Sequence, residues 1–471
     1  MRASSKLRTQ NSELQKLVPL LLNWFSANAR DLPWRRTRDP YAIWVSEIML
    51  QQTQVKTVIP YWKRWMRELP TIGAVANASP DKTHKLWEGL GYYTRARNLQ
   101  KAAQQIVARQ DAISNSGRRR GDESQTKKNS EIPSAFARLR RDKHVVSYKF
   151  PEKCEDVLAL PGIGRYTAGA ICSIAFNQPM PILDGNVIRV LTRIFGIGEN
   201  PREKKTNARL WRLAEELVTH VSHVTSHMSR SKPRTRTKNE NEDDSACSHL
   251  NQSLMELGAL VCTPRNPHCL ICPVKKLCVA FRENRVEALP NLGKRAMATA
   301  RHFVAFVAER NGRLLVRQRP AGVVNAHLWE FPNVEIGTRL FEPQHTRLQN
   351  TAGKIPATDG IRTRCGSGDP RSELVANAAT QVLGFTSTKL APLCTVKHSI
   401  TRYRITLEAF RVRFGEASSA SPKNFRMGRC GTPPSEADKV WLPLSKLNLL
   451  AFTAAHKKIL THLKHDGRHL R

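Results

Sequence analysis

The sequence is poor in acidic residues. Its 471 residues include 39 Asp and Glu against 76 Lys and Arg, which leaves a formal net charge of +37. Basic residues occur along the whole chain, and an enzyme for small substrates rarely carries so much uncompensated charge. The imbalance favours a polyanionic partner, of which nucleic acid is the commonest.

Long apolar runs are missing as well. No uninterrupted stretch approaches the ~20 residues that a membrane span needs, and the polar segment 1–16 lacks the apolar centre of a signal peptide. We therefore expect no membrane partner and an intracellular protein, cytoplasmic and nucleoid-associated if the source is bacterial. The length favours two or three domains, and the 40% of apolar residues suffices for their cores.

A disulfide framework is not expected for the ten cysteines of such a chain. Four of them, Cys262, Cys269, Cys272 and Cys278, have the spacing C-x6-C-x2-C-x5-C and can surround one inorganic centre. Zinc and a [4Fe–4S] cluster both select thiolates, and the spacing leaves the choice open. A metal would make the intervening loop rigid, so that Arg265 could meet a DNA phosphate.

Periodicity divides the chain into a helical part and an α/β part. Residues 14–290 are mostly helical in pattern, whereas His302–Ala308 alternates like a strand and the Asn311-Gly312 pair predicts a hairpin turn. Three polar stretches interrupt these patterns and are predicted to be surface insertions; they are residues 114–143, 229–245 and 353–370.

A glycine-containing turn, Leu160-Pro161-Gly162-Ile163-Gly164, lies between two predicted helices. Gly162 and Gly164 permit unusual backbone angles and close approach. The helix that begins near Arg165 would direct its free N–H groups outward, which suits a phosphate. This pattern predicts a helix–hairpin–helix that binds the DNA backbone without reading bases.

Two carboxylates suit acid-assisted bond cleavage. Glu47 lies among apolar residues between Ile43 and Leu50, and burial there would favour its protonated form and raise its pKa. Asp184 precedes a helix start at Gly185-Asn186, where the helix dipole would favour the ionised form. A protonated acid beside a charged partner is what glycosidic cleavage requires.

These motifs together resemble the MutY family of adenine DNA glycosylases, within the endonuclease III superfamily. The resemblance covers residues 14–345 outside the insertions and weakens beyond them. The matching segments are 30–35 (RDLPWR), 46–55 (SEIMLQQTQV), 89–93 (GLGYY), 160–170, 183–187 (LDGNV), the four cysteines, 319–322 (RPAG) and 328–332 (LWEFP).

The resemblance implies a multidomain fold, with an all-α helix–hairpin–helix glycosylase core that carries a [4Fe–4S] subdomain and a C-terminal α/β Nudix-like domain. The expected bounds are 1–38 with 191–290 for the iron–sulfur subdomain (insertion about 225–247), 39–190 for the six-helix subdomain (insertion about 112–150), 291–299 for a linker and 300–465 for the Nudix-like domain. The implied partner of this monomer is double-stranded DNA with an A·8-oxoguanine or A·G mispair.

The resemblance also implies residue roles in a monofunctional adenine glycosylase. Glu47 would protonate N7 of the extruded adenine and Asp184 would stabilise the sugar cation, with Tyr166 and Asn186 positioning Asp184 and the water. The implied DNA-backbone contacts are Gly162, Gly164, Arg165 and Arg265. The implied substrate-binding residues are Arg30, Trp34, Arg35 and Glu256 at the adenine pocket, Gln52 and Tyr92 as wedges, and Thr401 at the lesion.

Three positions refine this picture. Tyr166 stands where the bifunctional endonuclease III-like relatives carry a lysine, so efficient strand cutting is not expected. Ile400, Thr401 and Arg402 replace the Phe-Ser-His loop that reads 8-oxoguanine, and only the hydroxyl of Thr401 is kept. The glutamates of a Nudix hydrolase are missing near Arg371. The alternatives are an endonuclease III-like glycosylase/lyase and a catalytically silent DNA-binding module.

Overall fold

A computed structural model describes residues 2–122, 148–231, 245–293, 297–336, 370–385, 389–400, 402–413 and 439–465. The chain forms two compact units, one of Met1–Leu86 with Thr94–Arg295 and one of Trp87–Tyr93 with Ala296–Arg471. Within those described ranges, no helix has the length and apolar character that crossing a bilayer requires.

The first unit is helical. A short 3₁₀ helix, Pro33–Arg35, separates the first two α-helices. In the part of this unit that the structure describes, the α-helices are α1 (Arg2–Asn28), α2 (Pro40–Leu50), α3 (Val55–Glu68), α4 (Ile72–Asn77), α5 (Pro80–Trp87, whose last residue groups with the second unit), α6 (Thr94–Asp122), α7 (Cys154–Leu158), α8 (Arg165–Phe176), α9 (Gly185–Ile194), α10 (Lys204–Ser231), α11 (Ala246–Leu260) and α12 (Val279–Arg282).

Local sequence fixes the start of the helices that carry the site. Asp39 caps α2 by accepting a hydrogen bond from the Tyr41 N–H at 3.0 Å, and Pro40 occupies the first helical position. Asp184 caps α9 by accepting from the Val187 N–H at 2.7 Å. Helix α8 begins at Arg165, as the glycine turn predicts.

A continuous apolar core joins α1, α9, α10 and α11. Leu17 and Leu21 of α1 are buried with Val190 of α9, Leu217 of α10 and Leu254 of α11. The cysteine loop follows α11 directly, and Cys262 and Cys272 pack against this core. The core therefore fixes the position of the loop relative to α9, the helix that Asp184 caps.

The second unit is built on a mixed sheet. The elements described here are β1 (Thr299–Arg310), β2 (Arg313–Gln318), β3 (Trp329–Glu330), β4 (Asn333–Ile336), α13 (Pro370–Leu383), β5 (Lys389–Ile400), β6 (Tyr403–Arg413), β7 (Lys439–Pro443), α14 (Leu444–Leu447) and α15 (Ala454–His465). The strands pair in the order β3-β2-β1-β6-β5, with β4 also paired to β1 and β7 to β2. Strand β1 runs parallel to β6, with Phe303 opposite Leu407, whereas β5 and β6 form an antiparallel hairpin.

A helix covers each face of the sheet. Because alternate strand residues point to opposite faces, Val307 of β1 packs in one cluster with Ile459 of α15. Phe306 packs in the other cluster with Ala379 of α13. The expected succession of a helical part and an α/β part is confirmed.

Two boundaries differ from the sequence-based expectation. Helix α6 continues to Asp122 and α10 to Ser231, past the points at which the insertions were expected to begin. Buried Leu99 and Ile106 anchor α6, and the arginines at 118–120 favour helix once it is anchored. The rest of the first two insertions, almost all of the third, and Thr401 lie outside the described residues.

Candidate active site and cysteine cluster

Glu47 is held inside the first unit by the most buried helix of the site. Nine of the eleven residues of α2 are buried, and Glu47 is 5% exposed. Burial raises its pKa to about 7, and the nearby charge of Asp184 also raises it, while a hydrogen bond from Tyr166 and the charge of Arg35 lower it. Glu47 can therefore keep a proton close to neutral pH, as the sequence predicts.

Asp184 accepts two hydrogen bonds. Its Oδ1 accepts from the Val187 N–H at 2.7 Å, and its Oδ2 accepts from Asn186 Nδ2 at 3.0 Å. Burial nevertheless raises the pKa of Asp184, and these hydrogen bonds offset only part of that effect. The sequence-based argument from the helix dipole predicted a lowered pKa for Asp184. That prediction is wrong, because the loss of solvent around the carboxyl dominates.

Both carboxylates belong to one site. The charge of Asp184 raises the pKa of Glu47, and burial together with both carboxylates raises the pKa of Tyr166 well above its ordinary value. Only groups a short distance apart interact in this way. The arrangement combines a proton donor with a carboxylate that can stabilise positive charge.

Tyr166 hydrogen-bonds to the acid rather than to Asp184. Its hydroxyl donates to Glu47 Oε2 at 3.0 Å and lies 3.3 Å from Met255 Sδ. The sequence-based expectation had paired Tyr166 with Asp184, whereas Asn186 does contact Asp184 as expected. A neutral phenol in this place can hold the Glu47 carboxyl in one orientation.

We expect the Tyr166→Phe variant to shift the pH dependence of catalysis. The Tyr166 hydrogen bond lowers the pKa of Glu47, so its removal should raise that pKa and move the alkaline fall in rate to higher pH. The plateau rate should stay within about 10-fold of wild type, because the acid itself is retained. Single-turnover rates between pH 5 and pH 9 measure the effect, and an unmoved or lowered midpoint would contradict it.

Glu256 is buried beneath two arginines. Its Oε1 accepts from Arg30 Nε at 2.7 Å, and its Oε2 accepts from Arg30 Nη2 at 2.8 Å and Arg35 Nη2 at 2.9 Å. Burial acts to raise its pKa, but the hydrogen bonds from Arg30 and Arg35 outweigh burial and lower it to about 2. Glu256 is thus a fixed anion that orients both guanidinium groups.

Sequence reasoning missed Gln252, the second anchor of Arg35. Gln252 Oε1 accepts from Arg35 Nε at 2.9 Å, while its amide donates to Ser248 Oγ at 3.0 Å. Gln252 lies one helical turn before Glu256 on α11, and that spacing was the available signal. Trp34, expected at the pocket, is buried edge-on against Trp62 with ring centroids 6.0 Å apart.

Arg95 was missed as well, although it holds the helix that carries Glu47. Its Nη1 donates to the carbonyls of Ile48 at 3.0 Å, Met49 at 2.9 Å and Gln51 at 2.5 Å. These carbonyls end α2, where a cation is favourable. The turn that follows places Gln52, an expected wedge residue, at φ 55°.

Tyr92, the other expected wedge, lies in the second unit. It is 45% exposed, and its backbone φ of 47° is a left-handed conformation that residues other than glycine seldom adopt. Buried Glu88 fixes its segment by accepting from the Phe452 N–H at 3.1 Å and from Lys457 Nζ at 2.6 Å.

The glycine hairpin leaves room for a phosphate. Gly162 has φ 80°, and a Cβ there would lie 2.6 Å from Asn98 Cβ. Gly164 has open space where a Cβ would be, and no side chain caps the N-terminus of α8. Its first N–H groups can therefore meet an anion. The guanidinium of Arg165 lies 4.0 Å above the Trp211 ring.

The four cysteines line a single cavity beside α9. No three His, Cys, Asp or Glu side chains in the described ranges come together as they would around one metal ion. Four thiols around one cavity can bind a thiophilic metal centre.

Two buried arginines, both missed in the sequence, link α9 to the cysteine loop. Arg193 is 2% exposed, and its Nη1 lies 3.4 Å from Cys262 Sγ and 2.8 Å from the Thr263 carbonyl. Arg189 donates to the Cys262 carbonyl at 2.7 Å and to Asn186 Oδ1 at 2.9 Å. A buried guanidinium needs compensating negative charge, which thiolate ligands supply. Arg265 is exposed in the loop between the first two cysteines.

Three known protein families match segments of this chain. The profile of the HhH-GPD superfamily base excision DNA repair protein matches residues 45–216. The iron-sulfur binding domain of endonuclease III matches residues 262–278, and the NUDIX domain matches residues 303–462. These matches confirm the expected fold class and the iron–sulfur cluster.

Similarity to several relatives extends over most of the chain. Adenine DNA glycosylase of Arabidopsis thaliana is 36% identical over 363 residues, which cover 69% of this chain and 48% of that protein. The Rattus norvegicus protein of that name is 33% identical over 392 residues, covering 72% and 64%. The one from Buchnera aphidicola subsp. Schizaphis graminum is 32% identical over 324 residues, covering 69% and 76%. The chain thus spans about half to two thirds of the length of the plant and rat relatives.

Proposed function

This chain belongs to the adenine DNA glycosylase family, and we propose that it hydrolyses the N-glycosidic bond of adenine mispaired with 8-oxoguanine or guanine in duplex DNA. The observation that carries the proposal is the shared site of Glu47 and Asp184, in which burial holds a proton on one carboxyl beside a second carboxylate. Adenine must leave the DNA duplex to reach a buried acid, so the reaction requires base flipping.

Glu47 is the proposed general acid. Protonation of N7 turns adenine into a neutral leaving group, and a carboxyl with a pKa of about 7 can give up that proton near neutral pH. Tyr166 keeps the carboxyl oriented through its 3.0 Å hydrogen bond. Arg35, held by Glu256 and Gln252, would contact the base.

Asp184 is the proposed stabiliser of the sugar cation that forms as the bond breaks. The Val187 N–H and Asn186 Nδ2 fix its two oxygens, so the carboxylate needs little reorganisation in the transition state. Asn186 is in turn held by Arg189. As Glu47 loses its proton to the base, positive charge on the sugar favours the ionised form of Asp184.

The [4Fe–4S] cluster has a structural place in this proposal. Cys262, Cys269, Cys272 and Cys278 would hold it, and its bonds to four thiolates would fold the loop that presents Arg265. Arg193 would neutralise part of its charge, since its guanidinium lies 3.4 Å from Cys262 Sγ. Gly162, Gly164, Arg165 and Arg265 would contact the DNA backbone, and Trp34 would line the adenine pocket. Gln52 and Tyr92 would each act as a wedge in the DNA.

The test of the proposed function is adenine release from a duplex with one A·8-oxoguanine pair. The proposal expects free adenine and an intact strand. Release of an oxidised pyrimidine from a matched duplex with strand cutting would favour an endonuclease III-like lyase. Tight binding without release of any base would favour a silent DNA-binding module. We propose a monomeric, intracellular DNA repair enzyme with no Nudix hydrolase activity.

We expect no efficient strand cleavage by this chain. Tyr166 cannot form the Schiff base through which a lysine amine links an enzyme to the opened sugar. Borohydride added during turnover should therefore trap less than about 1% of the enzyme on DNA, against a lyase of the superfamily as positive control. Trapping in high yield would contradict the prediction and would point to another amine.

We expect Thr401 to contribute to discrimination of the opposite base. Its hydroxyl is the part of the family's reader loop that this sequence keeps, and loss of one hydrogen bond to the lesion is worth about 1 kcal/mol. The Thr401→Ala variant should reduce the preference for A·8-oxoguanine over A·G about 5-fold. The ratio of the two single-turnover rates measures this preference, with Thr401→Ser as control. An unchanged ratio in the alanine variant would exclude a role for Thr401 in discrimination of the opposite base.

A further inference from the structure

Two cysteine thiols outside the four-cysteine cavity lie in contact within the helix–hairpin–helix. Cys154 is the first residue of α7 and is half-buried, whereas Cys172 lies in α8 and has no exposed surface. The Cys172 thiol donates a hydrogen bond to the Cys154 sulfur. These two residues are called the hairpin thiol pair below. The proposed glycosylase reaction uses neither of them.

The packing of α7 against α8 brings the two thiols together. The Cys172 carbonyl accepts from the Gln178 N–H at 3.1 Å, just past the end of α8. The side-chain amide of Gln178 in turn donates to the Glu152 carbonyl at 2.9 Å, two residues before Cys154. One residue thus ties the end of α8 to the segment that leads into α7, which keeps the two thiols close.

A bond between the two sulfurs would enclose the whole hairpin. Cys154 and Cys172 are 18 positions apart, and the loop between them contains the glycine turn 160–164. Helix α7 has only five residues, which is too short to be stable without tertiary contacts. A covalent link from its first residue to α8 would therefore limit its fraying. Because the glycine turn follows the opposite end of α7, the surface offered to a phosphate would stay open.

Burial decides what kind of dithiol this pair can be. Burial raises the pKa of both thiols, and the charge of Glu155 also raises the pKa of Cys154, while the hydrogen bond from Cys172 lowers it. Thiols of high pKa react slowly with oxidants and are poor leaving groups in thiol–disulfide exchange. A disulfide at this place would form slowly and would then resist exchange with other thiols. These properties suit a lasting cross-link better than a catalytic dithiol.

We propose that a peroxide joins the hairpin thiol pair in a disulfide that stabilises the helix–hairpin–helix under oxidising conditions. The thiol chemistry is independent of the proposed function, whereas its benefit rests on that function. Since 8-oxoguanine is an oxidised base, an enzyme that acts on its mispairs is needed most when oxidants are abundant. The cross-link would keep the DNA-binding hairpin folded under those conditions.

The reaction balances with one peroxide for each pair. The half-exposed Cys154 sulfur attacks one peroxide oxygen and becomes a sulfenic acid, and the other oxygen leaves as water with the thiol proton. The Cys172 sulfur then attacks the Cys154 sulfur, and the hydroxyl departs with the Cys172 proton as a second water. Two thiols and one peroxide thus give one disulfide and two waters, and two electrons pass from sulfur to oxygen.

The test treats the reduced full-length holoenzyme with hydrogen peroxide, alkylates the remaining thiols and analyses the peptides by mass spectrometry. We expect two peptides joined through Cys154 and Cys172. The melting temperature should rise by about 5 °C, because the cross-link restricts the unfolded chain, and prolonged treatment with dithiothreitol should reverse the rise. Binding to a mispaired duplex should change less than about 2-fold, because the backbone contacts of the glycine turn are kept.

Two variants separate the pair from other thiols. Cys154→Ser removes the half-exposed thiol and should abolish both the joined peptides and the rise in melting temperature. The matched control is Cys394→Ser, which removes a half-buried thiol of the second unit whose pKa burial also raises. Both effects should persist in this control. The visible absorbance of the cluster, followed during the treatment, checks that its four cysteine ligands stay intact.

Several outcomes would overturn the proposal. They are oxidation of Cys154 to a sulfenic or sulfinic acid without joined peptides, a disulfide that leaves the melting temperature unchanged or lowers it, a disulfide that weakens DNA binding, and a rise that persists in Cys154→Ser. Failure of the reduced protein to release adenine would instead overturn the proposed function. The cross-link and the melting temperature are measured without any reaction on DNA, so the two failures are distinguishable.

Discussion

Replacing Glu47 by glutamine should lower the rate of adenine release at least ~10²-fold, the low end of what positioned acid catalysis contributes. Glutamine fills the same space but has no proton to give to N7, whereas the pKa of about 7 keeps that proton on Glu47 near neutral pH. DNA binding should persist, because the acid donates only as the bond breaks. Single-turnover adenine release and a binding titration measure the two effects separately.

The pH dependence of the wild-type rate provides a second test of Glu47 as the proton donor. The pKa of Glu47 is raised above its ordinary value of 4.5, so the proton donor is present below about pH 7 and the rate should fall as pH rises through that value. The alkaline fall assigned to Glu47 should disappear in the residual activity of the glutamine variant. Near-normal release by that variant, or a wild-type rate that rises above pH 7, would contradict the assignment.

The stability of the Glu47→Gln variant, compared with that of wild type, provides the control. A carboxyl whose pKa is raised in the folded state contributes stability below its ordinary pKa, and that contribution is lost as pH rises through the folded value. At pH 8 the wild type therefore carries a buried carboxylate that the variant lacks. The Glu47→Gln protein should be at least as stable as wild type at pH 8, so loss of activity there cannot be ascribed to unfolding.

Replacing Asp184 by asparagine should lower adenine release by about 10² to 10³-fold, the loss seen when one preorganised electrostatic contact to a transition state is removed. Asparagine is neutral and cannot stabilise the sugar cation. Its side-chain oxygen can still accept from the Val187 N–H, which lies 2.7 Å from the present carboxylate. Asparagine and aspartate are comparable N-caps, so α9 should form normally.

The Asp184→Ala variant separates charge from capping. Alanine removes both, and loss of a cap costs about 1 kcal/mol of the free energy of unfolding. We therefore expect the two variants to lose activity alike but to differ in stability by about that amount. If asparagine retained most of the activity while alanine lost it, Asp184 would be a cap and not a stabiliser of the transition state.

Local sequence signals were sufficient where a single short segment determines the feature. The apolar neighbours of Glu47 within α2 predict its burial and the direction of its pKa shift. The glycine turn predicts the start of α8 at Arg165. The Asn311-Gly312 pair predicts the hairpin of β1 and β2. In each case the signal lies within a few residues of the feature that it predicts.

Local signals failed where two opposing effects had to be compared. The hydrogen bonds from Val187 and Asn186 and the charge of Arg189 lower the pKa of Asp184, yet burial by surrounding elements raises that pKa by more. Tyr166 could have served either carboxylate, and only its placement on α8 gives the hydrogen bond to Glu47, 119 positions away in the sequence. A sequence shows that each effect exists but gives no measure of solvent exclusion.

By itself the sequence determined the kinds of chemistry available: four thiolates closely spaced, an acid in an apolar helix, an aspartate at a helix start, and a tyrosine where an amine would be needed for strand cutting. Only the tertiary structure decided which arginines hold that chemistry in place. Arg95 reaches α2 from α6, and Arg193 reaches Cys262 from α9. Arginine is common at protein surfaces, so its burial depends on what distant segments pack around it.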